Sequence, residues 1–293
     1  MPYRSVFAPG LFADRTVLVT GASSGIGRAT AHELAALGAA VALVGRNEDK
    51  LAAVAAEIHE DGGVATTHCT DIRDEDGVAA VVDAVLVAHG RIDGLVNNAG
   101  GQYRAPLATI STKGFEAVVR TNLTGGFVVM REVYNRWMSA HGGAIVNMIA
   151  DIWGGWPHFA HSGASRGGML TLSESAATEW AASGVRVNTV APGSIASSGL
   201  DTYDDADTDF IRNQVAREIP LQRFGTEAEV SAAIVFLLSP AAAFITGTCL
   251  RIDGGAPNAK PGWWALQPAE RGDPYDGFHR ARTPDILTRE ARP

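Results

Sequence analysis

Seven short runs rich in apolar and β-branched residues punctuate the chain, at 16–20, 40–44, 64–69, 94–97, 144–148, 186–190 and 248–252. Most are near-continuously apolar instead of alternating, the pattern of strands covered on both faces of a parallel sheet. Between them lie Ala-rich stretches with helical spacing, at 27–37, 48–60, 78–89, 114–140, 160–183 and 227–239. The first stops at Gly38, a residue that can turn left-handed and so ends a helix at little cost. Strand and helix in alternation predict successive βαβ units, hence an α/β domain on a parallel sheet.

That periodicity lapses after Gly255, where Pro257, Pro261, Trp263, Trp264, Pro268, Pro274 and Pro284 follow without helical or strand spacing. The chain therefore divides into one domain, 1–255, and a Pro- and Trp-rich extension, 256–293. Trp263, Trp264, Tyr275 and Phe278 are too many aromatics for a free tail and predict docking on its own or a neighbouring subunit; an idle extension is the alternative. With 46% hydrophobic and 19% charged residues, the domain can bury a sizeable core. A formal net charge of −8 disfavours a nucleic-acid partner and leaves a small molecule as the expected one. Cys69 and Cys249 sit in β-type runs, which predicts buried, reduced thiols, with neither a disulfide framework nor a metal site. A cytoplasmic location is expected. The first ten residues lack a signal pattern, the C-terminal residues match no peroxisomal address, and no apolar run approaches the ~18 residues of a membrane span.

The candidate chemistry begins at Thr20-Gly21-Ala22-Ser23-Ser24-Gly25-Ile26-Gly27. Glycines 21, 25 and 27 fall between a strand and a helix, where the chain must turn tightly and a pyrophosphate can approach backbone amides at the positive end of the helix. Any strand-to-helix turn can use glycine, so the context carries the reading. At the end of the second strand, Gly45 stands where an acidic residue would bind a ribose 2′-hydroxyl, with Arg46 beside it. A 2′-phosphate suits that pair, so NADP(H) is expected and NAD(H) is the alternative.

The Gly-x-x-x-Gly-x-Gly spacing resembles the short-chain dehydrogenase/reductase family. Further matches follow in order: Asn97-Asn98-Ala99-Gly100, Asn122 in Thr121-Asn122-Leu123, Arg186-Val187-Asn188, Pro192-Gly193-Ser194-Ile195 and Asp253-Gly254-Gly255. Over residues 12–255 the resemblance implies a Rossmann-type, doubly wound, seven-stranded parallel sheet, a nicotinamide cofactor and a homo-oligomer, tetramer or dimer. It implies cofactor contacts from Gly21, Ser23, Ser24, Gly25, Ile26 and Gly27. Asp71 and Ile72 would meet the adenine side, and Asn98, Ala99 and Gly100 the ribose. Arg166 would anchor ribose hydroxyls, and Pro192, Gly193, Ile195 and Ser197 would surround the nicotinamide.

Catalysis in that family rests on a Ser, a Tyr and a Lys, the last two four apart on one helix face. Laying Ser165-Arg166-Gly167-Gly168 on the family's Ser-Lys-Gly-Gly puts Arg166 at the Lys position and Ser162 at the Tyr position. The segment Asn147-Met148-Ile149-Ala150-Asp151 lacks the strand-end Ser, so Asn122 alone remains of the usual set. Arg166 stays charged and can supply positive potential but cannot pass a proton. A Ser162 hydroxyl is too weak an acid without a coupled base. Alcohol oxidation is thereby disfavoured, whereas reducing an activated C=C bond needs only donors for an enolate oxygen and a proton from water or a modest acid. Asp151 is the substitute acid or base that the strand end offers, with a turn cap as its alternative. Packing is the better reading for Tyr103 and His161, and His158 is weaker still. Trp153 and Trp156 suit a pocket wall or core packing equally.

Two branches of the family share further residues. His161-Ser162-Gly163-Ala164-Ser165-Arg166, Gly100-Gly101-Gln102, Trp137-Met138 and Phe244-Ile245-Thr246-Gly247 resemble the peroxisomal trans-2-enoyl-CoA reductases. Asp151, Ser197-Ser198-Gly199 and Asp276-Gly277-Phe278-His279-Arg280 resemble bacterial citronellol or citronellal dehydrogenases. The first resemblance implies NADPH-dependent reduction of an enoyl thioester or enone, with Asn122, Asp151, Ser162 and Arg166 at the reacting centre. The second implies oxidation of a terpenoid or other apolar alcohol. A non-catalytic cofactor-binding protein is the third possibility.

Overall fold

The computed structural model describes residues 2–202, 208–259 and 272–288; Trp263 and Trp264 lie outside them. In chain order the first half runs β1 (Thr16–Thr20), α1 (Gly25–Ala36), β2 (Ala40–Gly45), α2 (Glu48–Glu60), β3 (Val64–Cys69), α3 (Glu75–His89) and β4 (Gly94–Asn97). Next come α4 (Thr112–Val119), α5 (Gly126–Val133) and α6 (Ser139–His141), one long rod interrupted by wider π-turns at Arg120–Gly125 and Tyr134–Met138. The second half contains β5 (Gly143–Met148), α7 (Ala160–Glu179), β6 (Val185–Pro192), β7 (Ile195–Ala196), α8 (Thr208–Phe210), α9 (Ala216–Glu218), β8 (Gly225–Thr226), α10 (Glu227–Leu238), β9 (Cys249–Ile252) and α11 (Asp285–Thr288).

The seven main strands pair in parallel in the order β3-β2-β1-β4-β5-β6-β9. Successive residues of each strand feed two different cores. Val17, Val19, Val41 and Leu43 pack on one face with Leu34, Leu51 and Ile234, while Leu18, Ala42, Val44 and Leu95 pack on the other with Val82, Val129 and Val133. Each of these Val, Leu and Ile side chains contributes about 1.5–3 kcal/mol by leaving water, so the two-sided apolar runs hold the layers together. The edge strand β3 differs. Its burial alternates, and Cys69 at its end is exposed, which corrects the expectation of two buried thiols; Cys249 is half-buried. Ala65 on one face packs with Leu51, Val54 and Ile58 of α2, so the two period-2 faces of β3 are unequally covered.

Helix ends explain where the cofactor side of the sheet lies. In α2, Leu51, Val54, Ala55 and Ile58 make one buried stripe, Glu48 and Asp49 occupy the first turn, and the Asn47 side chain accepts the Lys50 amide at 2.9 Å. At α10, Thr226 and Glu229 form a reciprocal capping box. At α1, by contrast, Ser24 makes no capping hydrogen bond, so among the described residues the first-turn amides have no side-chain acceptor. The chain reverses direction across the sheet between β1 and β4, where a crevice opens beyond the strand ends.

Candidate active site

That crevice is a cleft of about 1220 Å³. Of the expected cofactor contacts, Gly21, Ser23, Ser24, Gly25, Ile26, Arg46, Asp71, Ile72, Asn98, Ala99, Gly100, Arg166, Pro192, Gly193, Ile195 and Ser197 line it together, and Gly27 lies buried beneath. Gly21 and Gly25 have φ of 66° and 58°, the left-handed region that a tight strand-to-helix turn demands. Asn98 fastens this loop to the end of β4. Its Nδ2 donates to the Thr20 carbonyl at 3.0 Å, and the Asn98 and Ala99 amides donate to Thr20 Oγ1 at 3.0 and 2.9 Å. Free amides at the start of α1 and left-handed glycines that leave the backbone bare fit a dinucleotide pyrophosphate. Exposed Arg46 on the rim adds a cation. Opposite it, Asp71 is gripped by Arg73 and also feels Arg46, which holds its carboxyl down to about 2.

The four residues expected at the reacting centre divide into two pairs. Arg166 and Asp151 line the cleft; Asn122 and Ser162 do not. Arg166 is 8% exposed, and its Nη1 donates to the Met148 carbonyl at 2.6 Å. An added Cβ on Gly100 would sit 2.4 Å from its Nη2, so the guanidinium lies directly against the β4 loop. Among the described residues it has no carboxylate partner and its Nε has no acceptor. Burial pushes it down to about 10, which still leaves it cationic at neutral pH. Asp151 follows β5, and its amide donates to the Pro192 carbonyl at 3.1 Å. Burial raises its carboxyl and nearby Asp253 adds to this, while the Trp153 amide and Arg251 partly offset it. Its Oδ1 is buried with no partner among the described residues.

Asn122 sits in the π-turn of the α4–α5 rod, a wider turn of the kind found at functional positions. Its Oδ1 accepts the Gly101 amide at 2.8 Å and its Nδ2 donates to the Gly101 carbonyl at 2.9 Å. It is thus a clamp on the loop after β4. Ser162 is fully buried, and its hydroxyl donates to Gln102 Oε1 at 2.9 Å; it is Gln102 that reaches the cleft. Gln102 went unmarked as a site residue, and its place directly after Gly100-Gly101 was the signal. Tyr103 and His161 pack edge to face, ring centroids 4.4 Å apart, and neither lines the cleft. Trp153 and Trp156 do line it, with Phe159, Phe210 and Leu200 adding apolar wall. The Arg251 guanidinium lies 5.1 Å above the Trp153 ring and pairs with Asp253 at 2.7 Å.

A further carboxyl stands behind the phosphate loop. Glu227, in the first turn of α10, is 8% exposed, and a Cβ on Gly25 would come within 3.9 Å of its Oε1. Burial pushes it up to about 7, against the usual 4.5, with Arg28 opposing. Between those values the folded chain keeps a proton that the unfolded chain has released. The associated stability is complete below pH 4.5 and is lost as pH rises through about 7. Glu227→Gln, which cannot ionise, is expected to melt with the wild type at pH 5. At pH 8 it should be about 2–3 kcal/mol more stable, or roughly 5 °C higher in melting temperature by calorimetry. Equal melting at both pH values would assign the carboxyl no such role.

Among the described residues no helix is long and apolar enough to cross a membrane, and no group of three or more His, Cys, Asp or Glu could hold a metal ion. A family model described as Enoyl-(Acyl carrier protein) reductase matches residues 21–257. The solved structure of the citronellol catabolism dehydrogenase (AtuB) of Pseudomonas aeruginosa PAO1 is 56% identical with a TM-score of 0.79, over 87% of this chain and 100% of that one. The peroxisomal 2,4-dienoyl-CoA reductase of Danio rerio is 34% identical over 257 residues, 87% of this chain and 85% of its own length. Glucose 1-dehydrogenase of Gluconobacter oxydans is 40% identical over 248 residues, 83% of this chain and 92% of its own. Both branch resemblances thus have counterparts among these relatives. Matches of this length, on a sheet that reverses at β1 and β4 above a glycine loop, establish that the chain belongs to the short-chain dehydrogenase/reductase family of oxidoreductases.

Proposed function

We propose that the protein is an NADP(H)-dependent reductase of the C=C bond in an enoyl thioester or a related enone. The observation that carries this reading is the pair of ionisable groups lining the cleft: a buried guanidinium without a carboxylate partner among the described residues, and a carboxyl that burial shifts toward its neutral form. The nicotinamide, when bound, supplies the hydride that the substrate's β-carbon accepts. Arg166 then stabilises negative charge building on the carbonyl oxygen, where low dielectric strengthens each interaction. Asp151, whose carboxyl burial shifts toward the neutral form, would supply the α-carbon with its proton, for which a neutral acid is the useful form. Gln102, held by Ser162, adds a polar group, and Trp153, Trp156 and Phe159 exclude water around an apolar acyl chain. Arg46 supports a 2′-phosphate and hence NADP(H) over NAD(H).

The second reading, oxidation of a citronellol-like alcohol, is favoured by the 56% identity to the citronellol catabolism dehydrogenase. It needs Asp151 ionised as a base, against the direction in which burial moves it. Purified protein given crotonyl-CoA is expected to consume NADPH at least tenfold faster than NADH, and to reduce NADP⁺ slowly with citronellol. Turnover of citronellol with none of the thioester would exchange the two readings.

A further inference from the structure

Within the C-terminal segment, α11 packs on a wall of the cleft. Leu200, Phe210, Ile211 and Val215 form that wall, and they belong to the stretches 198–202 and 208–218 between β7 and β8. Both stretches are built from short helical turns, whose few local bonds hold a conformation poorly by themselves. Packed against them is α11. Its Ile286 is 3% exposed, the Ile286 amide donates to Asp201 Oδ1 at 3.0 Å, and Arg212 Nη2 donates to the Leu287 carbonyl at 3.4 Å.

A helix of one turn needs an anchor of its own, and the residues before it supply one. Phe278 is 2% exposed, stacked on Tyr3 with centroids 5.7 Å apart and covered by the Arg28 guanidinium at 5.0 Å. Arg280 binds both carboxylate oxygens of Asp61, at the C-terminal end of α2, at 3.1 Å each. Its carbonyl accepts from Arg28 Nη1 at 3.1 Å. The Tyr275 carbonyl takes the hydroxyl of Thr226, the cap of α10, at 2.7 Å. One short segment therefore joins α1, the C-terminal end of α2 and the start of α10 to that wall.

We propose that residues 275–288 are a brace that seats the 198–202 and 208–218 wall against the cleft, with Ile286 and Asp201 as its latch. Neither residue lines the cleft; both are positioning residues for its substrate half. The part concerning substrate rests on the function proposed above, whereas the brace itself does not, and the test separates them. In the full-length protein without ligand, Ile286→Ser and Asp201→Ala are expected to speed amide hydrogen exchange in 198–202 and 208–218 at least tenfold, leaving β1, β4 and β5 unchanged. Asp201→Asn, which keeps the accepting oxygen, should exchange as the wild type does. With NADPH and crotonyl-CoA, the KM for the thioester should rise at least fivefold in the two disrupted variants while kcat and the NADPH Kd stay within twofold. Unaltered exchange in the wall, or acceleration spread through the sheet, would overturn the brace. Faster exchange confined to the wall, in a protein that turns over no thioester, would uphold the brace and remove the substrate reading.

Discussion

Replacing Arg166 by Met is expected to lower NADPH-dependent turnover at least tenfold while leaving the melting temperature unchanged or higher. The two halves of this result have the same origin. A guanidinium that is 8% exposed and has no carboxylate partner among the described residues has lost most of its hydration without a compensating ion. Such a charge weakens the fold by several kcal/mol before compensation. Its hydrogen bond to the Met148 carbonyl at 2.6 Å returns about 1.5–3 kcal/mol as a charge-assisted hydrogen bond. A thioether of similar length gives up that bond but needs no water, so the balance for stability falls near zero. For the reaction there is no such offset, because removing a donor at a developing oxyanion lowers rates by about 10²–10³ where it has been isolated. Single-turnover rates at saturating NADPH, read beside calorimetry, check both halves. An unchanged rate would take Arg166 out of the chemistry, and a large fall in melting temperature would make it structural.

Gly27→Ala should weaken cofactor binding and destabilise the domain together. The added methyl would lie 2.3 Å from the Gly21 carbonyl oxygen and 2.5 Å from Asn98 Nδ2. The first neighbour is backbone and cannot rotate away. The second is the amide that ties the loop to the end of β4, donating to the carbonyls of Thr20 and Gly21 at 3.0 and 3.3 Å. Overpacking of this kind costs about 1–3 kcal/mol or somewhat more, against which the helix preference of Ala over Gly returns about 1 kcal/mol. A net loss of about 2 kcal/mol corresponds to a fall of roughly 4 °C. NADPH affinity, read by fluorescence titration, should fall at least a hundredfold, since the moved loop carries the first-turn amides of α1. Wild-type affinity in this variant would show that the loop does not need bare backbone at Gly27.

Much of the scaffold was legible from side-chain spacing. The runs at 16–20, 64–69 and 94–97 coincide with β1, β3 and β4, and 48–60 with α2. The other main strands and long helices lie within a few residues of the expected runs, except that the helix expected at 114–140 contains two π-turns, while β7, β8 and the short helices α8, α9 and α11 had no counterpart in the pattern. Each such turn bonds residue i to i+5 over one turn only, a local change that a hydrophobic period averaged along the whole rod does not resolve. Yet the first of them holds Asn122 against Gly101.

The site was legible in part, and the boundary is physical. Glycine at 21, 25 and 27 announces itself because backbone conformation is a local property, and Arg46 because it follows a strand end. That Ser162 and Arg166 stand where the family resemblance places a Tyr and a Lys is a matter of residue identity in the chain. What spacing could not convey is that Ser162 stands behind Gln102, that Glu227 lies buried behind the phosphate loop, or that Cys69 is exposed on an edge strand. These depend on which element becomes whose neighbour.

The glycine loop, the near-continuous strand runs and the departure from the family's catalytic residues were properties of the chain itself, because each rests on residues within a few positions of one another. The state of Arg166 and Asp151, and the fastening of Arg280 to Asp61 across 219 positions, came only with the folded molecule. Desolvation and ion pairing act between groups brought together in space, and a linear pattern carries no record of them until the sheet is assembled.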